Sequence, residues 1–295
     1  MKKFFLAFLL LLAFIGISRA DETEKCFYYF KYQNYQLALQ SGKKAIKIDP
    51  KNTYAHVCLG ATYTKLGYFN LSIKELKIAE KFTNNQPDLD VIYSILGGDY
   101  DSMGDFNNAI LYYTKELNIA KDLNNADKES RALNNIATIY ARQGYYDKAL
   151  EYFNKSLQLK TNPSSIALTY SNIGVIYSLK GDNAKAVEYF KKAVDIAQKS
   201  GDYHGAAMHM INLGNTYIYS RNFSKAGYYL TQGLELMHKL GDKYSEAYAY
   251  VSLGKLYMVQ NKKDLAKEYF TKAYNLFKAT GNNNKAQEVY ESYLK

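Results

Sequence analysis

The sequence predicts an all-α protein, a right-handed α-solenoid of about seven helix pairs closed by a C-terminal helix. Three observations predict it. A pattern of apolar residue, small residue, two residues of any kind and then Tyr recurs with a period of 37 or 40 residues. Twelve residues after each small residue comes another small one, and four later a large one. The only three prolines, Pro50, Pro87 and Pro163, fall between copies, where helices start or stop. A fixed period in this range marks stacked repeats, each burying its apolar face only against its neighbours.

Taken in order, residues 1–20 stand apart from the repeats. Lys2 and Lys3 precede an uncharged apolar run from Phe4 to Ile17, followed by Ser18-Arg19-Ala20. This reads as a secretory signal peptide cleaved before Asp21, with an uncleaved N-terminal anchor as the alternative. The run is short for a membrane span, which needs about 20 apolar residues. The mature chain is therefore expected to be exported, periplasmic or secreted, without stable membrane insertion. Residues 21–280 form the repeat array and residues 281–295 a capping helix.

The first copy is the weakest, with Cys26 at the small position, Tyr29 at the Tyr position and Ala38 at the second small position. The next six run Leu59-Gly60 to Tyr63, Leu96-Gly97 to Tyr100, Ile136-Ala137 to Tyr140, Ile173-Gly174 to Tyr177, Leu213-Gly214 to Tyr217 and Leu253-Gly254 to Tyr257. Their second small residues are Ser72, Ala109, Ala149, Ala186, Ala226 and Ala266; their large residues are Leu76, Tyr113, Phe153, Phe190, Leu230 and Phe270. Two helices approach closely only where side chains are small, so each small position predicts a crossing and each large residue fills the volume beside it. Gly67, Gly104, Gly144 and Gly181 recur seven residues after the small position and predict a left-handed turn between paired helices; Arg221 and Asn261 stand there in the last two copies. Gly281 to Leu294 repeats the spacing of a first helix and stops, as a solenoid cap does.

These residues resemble the tetratricopeptide repeat family, whose pattern runs apolar-Gly, Tyr, Ala, Phe and a closing Pro, here Pro50 in the first copy. The resemblance covers roughly residues 22–280. The family's first-helix Trp is absent, with Tyr93, Tyr170 and Tyr250 in its place. The first two repeats are tight. Later ones carry longer connections, such as Lys121–Lys128, Ser200-Gly201-Asp202 and Leu240-Gly241-Asp242, and resemble those of kinesin light chains and bacterial peptide-sensing regulators.

Composition bounds the partners. The chain carries a net charge of +10, and losing the leader with Lys2, Lys3 and Arg19 leaves +7. Export argues against nucleic acid; a protein or peptide segment, including an acidic one, fits better. Scattered lysines also simply solvate exposed helix faces. Cys26 and Cys58 fall on first helices of neighbouring repeats. Export permits a disulfide, but spacing does not establish it, and the reading favours two free, buried small residues.

No phosphate loop, nucleophile elbow or metal-type Cys/His pair is present, so the chain reads as non-enzymatic, with no cofactor and no metal. Of the four histidines, His56 sits at a core position, and His204 and His209 are five apart, the wrong spacing for one helix face. The resemblance instead points to the groove lined by first helices, where family members hold peptides and some use a carboxylate clamp of Lys, Asn and Arg. Arg131 and Asn135 match clamp places; Asn172 and Asn212 repeat the Asn place, and Asn215 adds the other clamp-type Asn. Neither clamp Lys is found in the flanking repeats. Arg131, Asn135, Thr138 and Arg142 also form one stripe by their spacing. These seven residues are the candidate peptide-binding set. The alternative is that duplication copied the Asn residues and that the arginines pair with neighbouring acids. The expected function is an exported interaction scaffold in cell-envelope assembly; the second reading is a peptide-binding sensor whose solenoid changes curvature.

Overall fold

A computed structural model of the chain describes residues 21–159 and 161–295. The expected signal peptide lies outside the described residues. All regular structure among the described residues is helical. The helices are α1 (Glu22–Lys31), α2 (Tyr35–Ile48), α3 (Thr53–Lys65), α4 (Phe69–Lys81), α5 (Gln86–Ser102), α6 (Phe106–Asp122), α7 (Ala126–Arg142) and α8 (Tyr146–Leu157). They continue as α9 (Pro163–Leu179), α10 (Asn183–Lys199), α11 (Tyr203–Tyr219), α12 (Phe223–Leu240), α13 (Lys243–Val259), α14 (Lys263–Ala279) and α15 (Asn283–Val289), with a π-helical turn at Tyr290–Leu294. Among the described residues these make seven pairs and a terminal helix, as the periodicity predicts. The tight early repeats also appear: α3 and α4 have 13 residues each, whereas α9 and α11 have 17.

The chain forms two compact units that part within α7, between Ile139 and Tyr140. Inside each, a helix packs on its pair mate and on the next pair. Polar residues start the helices. Asn52, Asp105, Asp182, Asp202 and Asp242 each accept a hydrogen bond from a backbone N–H three residues on, satisfying one orphan donor of the first turn. The turn positions are left-handed: Gly67 has φ 77° and Gly181 78°, and Asn261 and Arg221 adopt 59° and 56°. Arg221 carries a Cβ in a region that favours glycine.

The crossings follow the repeat. A Cβ on Gly60 would lie 2.6 Å from the Leu76 side chain, and one on Gly174 would lie 3.0 Å from the Phe190 ring. The small residue and the large one sixteen positions later therefore fill one space, as their spacing predicts.

The cysteines differ from expectation. Both are fully buried, but they are joined: Cys26 of α1 and Cys58 of α3 form a disulfide with Cα atoms 6.3 Å apart. The reason is geometric. Helix α1 packs on α3 as well as on α2, so the two side chains meet within the span a disulfide requires. His56 is structural, its Nδ1 2.7 Å from Glu75 and its Nε2 3.0 Å from the Pro50 carbonyl.

At the C-terminus, Ala286 and Val289 of α15 join a core with Phe270, Ala273 and Phe277. Tyr293 then stacks on Phe270 with ring centroids 4.1 Å apart. The last pair's apolar face is covered, which is what a cap does.

Candidate functional site

In the first unit, the candidate arginine is engaged from within. Arg131 donates from Nε and Nη2 to one carboxylate oxygen of Glu116, at 3.0 and 2.7 Å. Its Nη2 lies 3.5 Å from Asp90, to which Lys128 donates at 2.7 Å. Glu116 and Asp90 are buried, while the arginine side chain is about half exposed, 48%. Burial pushes the Glu116 carboxyl above the usual range, with the Arg131 hydrogen bond and charge opposing that shift. Asn135 is half-buried, and Thr138 is exposed with its hydroxyl donating to the Asn134 carbonyl at 2.9 Å. Arg142, which belongs to the second unit, is exposed at the end of α7.

In the second unit, α9 and α11 enclose a cavity of about 490 Å³. Two candidates, Asn172 and Asn212, line it together. Asn215, one turn on, is half-buried and is not among its lining residues. The 40-residue period explains the geometry: it sets the same face of two successive first helices side by side. Leu168 and Met208 stand four residues ahead of the two Asn residues, and Val175 three residues after Asn172. All three are large apolar side chains left substantially exposed at the cavity.

His209 also lines the cavity. It is buried at 5% exposure, and its Nδ1 has no hydrogen-bond partner. Burial pushes its pKa down to about 4, with Asp202 opposing, so the ring is neutral at pH 7. A neutral imidazole has one N–H and one lone pair to offer. At the rim, His204 Nε2 lies 2.9 Å from Asp242.

The arrangement supplies apolar surface for a side chain and amide groups that can donate to and accept from an extended backbone. No group of three or more His, Cys, Asp or Glu among the described residues is arranged to hold a metal. Nor is any described helix long and apolar enough to cross a membrane. Sequence reasoning missed Leu168, Val175, Met208 and His209. The signal for the first three was available in the aligned copies, at fixed offsets from the Asn ladder. His209 carried none, because burial and the lack of a partner are tertiary properties.

A tetratricopeptide repeat family model matches residues 88–162 and 165–239, and a second such model matches 247–280. Outer dynein arm-docking complex subunit 4 of Danio rerio is 27% identical over 145 residues, which is 44% of this chain and 30% of that protein. The chain spans less than a third of the length of the curated relatives it matches. A tetratricopeptide repeat protein from Parabacteroides merdae is similar in structure, with a TM-score of 0.65 and 18% identity over 93% of this chain and 98% of that one. A Rap protein complexed with competence and sporulation factor has a TM-score of 0.59 and 14% identity, over 92% and 95% of the two chains. At these identities the two structures share a fold with this chain.

Proposed function

Because the chain belongs to the tetratricopeptide repeat family, we propose that it is an exported, non-enzymatic scaffold that holds an extended segment of a protein in the groove between α9 and α11. Members of this family mediate protein–protein interaction and are generally non-enzymatic. The observation that carries the reading is the cavity itself. Three exposed apolar side chains, Leu168, Val175 and Met208, surround two amides, Asn172 and Asn212, at one repeat spacing. Exposed apolar clusters rimmed by polar groups mark interaction sites.

Two independent features support export. One is the charge, apolar run and Ser-x-Ala site of residues 1–20. The other is the Cys26–Cys58 disulfide, since disulfides persist in oxidising compartments outside the cytosol. Export joined to a scaffold fold supports reading the role as cell-envelope assembly.

The test is photo-crosslinking in the native host, with the reactive residue placed at Met208 and, as a control, at the exposed Lys185. A discrete protein product at Met208 alone supports the scaffold. A short free peptide that binds this groove as tightly as any protein product favours the sensor reading instead. Equal labelling from both positions overturns the groove as the site. Mature protein beginning at Asp21 supports export; a cytosolic chain retaining Phe4–Ile17 overturns it.

A further inference from the structure

Away from that groove, a second pattern runs through repeats three to seven. A Tyr of each first helix stacks on or leans against the Tyr twelve residues later, on the second helix. The pairs are Tyr100–Tyr112, Tyr140–Tyr152, Tyr177–Tyr189, Tyr217–Tyr229 and Tyr257–Tyr269, with ring centroids 5.3 to 5.7 Å apart. In four of the five, a lysine three residues further on lies over the second ring. Lys115 is 4.8 Å from the Tyr112 centroid, Lys155 4.8 Å from Tyr152, Lys192 4.9 Å from Tyr189 and Lys272 4.9 Å from Tyr269. A carboxylate holds each ammonium in place: Glu80, Glu151, Glu188 and Glu268, at 2.6 to 2.9 Å. The array has thus built the same cation seat four times and filled it with its own lysine.

Repeat six departs from this. Gln232 stands at the lysine place and Tyr228 at the place of the glutamate used by repeats four, five and seven. The aromatic pair remains, with Tyr217 and Tyr229 stacked 13° from parallel. Tyr228 adds a third ring, edge-on to Tyr229 at 5.1 Å. At this place the second unit has a cavity of about 280 Å³, lined by Met210, Tyr228, Tyr229 and Gln232, and by Asp195 and Lys191 of α10.

We propose that this cavity is a docking seat for a lysine side chain of a partner protein, entering where repeats three, four, five and seven place their own. Three lines converge on a cation. The face of Tyr229, equivalent to the ring under the ammonium in the other four repeats, is retained, while the first-helix ring that the ammonium also overlies in repeats three, five and seven (Tyr93, Tyr170 and Tyr250) is Met210 here; the quadrupole of an aromatic face attracts positive charge. The internal lysine that would compete has been replaced by a neutral amide. Asp195 supplies a carboxylate in the wall, now paired with Lys199 at 2.8 Å and able to exchange that partner. Met210, at the place held by Tyr170 and Tyr250 in the repeats on either side, widens the seat with a flexible apolar side chain. The seat is separate from the groove residues of α9 and α11, so its failure and that of the groove reading are distinguishable.

The test uses the full mature chain and the blocked peptide acetyl-Gly-Lys-Gly-amide, with norleucine replacing lysine as the control. Binding is read by the ring-current shift of the lysine ε-methylene protons. The expected result is a saturable upfield shift for the lysine peptide and none for the norleucine peptide. Gln232→Lys, which restores the chain's own occupant, should weaken binding at least tenfold while the melting temperature holds or rises. Lys191→Gln should strengthen binding by removing the like charge in the wall. Wild-type affinity in the Gln232→Lys protein overturns the proposal, as does an equal shift with norleucine. Free lysine binding more tightly than the peptide also overturns it, because the occupant would then be a small molecule and not a partner protein.

Discussion

Arg131 in the first unit and Leu168 and Met208 in the second hold the same place in their repeats, four residues ahead of an Asn. Their fates differ. The arginine is drawn onto the buried Glu116 and Asp90 of its own unit. The two apolar residues remain exposed beside a cavity. The difference is set by what lies across from each place. A buried carboxylate cannot stay ionised without a partner, so it takes the nearest guanidinium. Leu168 and Met208 face no such demand and stay exposed. A charged residue at a recognition position therefore says less about binding than an apolar one that folding has failed to bury. More broadly, the first unit is tied by covalent and ionic links, including the Cys26–Cys58 bond and the buried acids Asp90 and Glu116, paired with Lys128 and Arg131. The second has aromatic and aliphatic packing around Phe190, Leu230, Leu253 and Phe270, beside the buried Glu246 paired with Lys243.

The sharpest break of this comparison is to remove the covalent tie. Replacing Cys26 and Cys58 by Ala should destabilise the first unit by about 4 kcal/mol, the loss expected for a loop of roughly thirty residues. Hydrogen exchange should quicken in α1 to α3 and stay unchanged in α11 to α14. Equal quickening in both units would mean that they unfold as one, and that the contrast has no thermodynamic content.

A second test addresses the ionic tie. Arg131→Gln leaves Glu116 buried with no guanidinium, and should cost about 2 kcal/mol at pH 7.5. That is below the usual 3–5 kcal/mol for breaking a buried pair, because water reaches the half-exposed arginine. The sign with pH is fixed by Glu116, whose folded pKa lies above its unfolded one. Its contribution is full below the unfolded value and is lost as pH rises through the folded value. Removing Arg131 raises the folded value further, so the penalty should shrink on acidification. A penalty that grows in acid, in urea melts at pH 7.5 and 5.5, would place the arginine elsewhere.

The third test concerns the apolar half. Leu168→Ser with Met208→Ser should weaken binding of the groove's partner at least tenfold, about 1.4 kcal/mol or more. Both side chains are substantially exposed, so melting should move little. Unchanged capture of the crosslinked partner would remove the groove from the account.

The fold was legible because each constraint was local and repeated. Gly60 and Leu76, or Gly174 and Phe190, occupy one space at one offset, and six copies repeat the arrangement. The Asn172–Asn212 pair was legible for the same reason, since period alone sets two equal positions side by side. Arg131 was legible as a stripe residue but not as Glu116's partner, because Glu116 sits on the preceding helix at no repeated offset. The disulfide was hidden likewise: Cys26 and Cys58 are two places apart in the repeat, and only the packing of α1 on α3 brings them together. His209 is the extreme case, a residue five from another histidine whose meaning comes entirely from burial.

That histidine gives the smallest and most discriminating effect. Its folded pKa, about 4, lies below the ordinary value of 6.5. The unfolded chain therefore takes up the proton first as pH falls, and stability present above pH 6.5 is lost between there and pH 4. Between pH 7.5 and 5.5 the second unit should lose about 1 kcal/mol. Asp242 and Glu246, whose carboxyls lie below their usual range, titrate beneath that window and do not mask the slope. Asp99 and Glu116 of the first unit, both pushed upward by burial, act with the opposite sign, so the first unit should hold or gain stability over the same window. Unit-resolved hydrogen exchange, corrected for the intrinsic pH dependence of exchange, reads both slopes in one sample. The His209→Gln chain should lose the second unit's slope and keep the first unit's. If wild type and His209→Gln show the same slope, the imidazole is reached by solvent and does not shape the cavity wall; if both units move together, the contrast between an ionic and an apolar half fails at its most sensitive point.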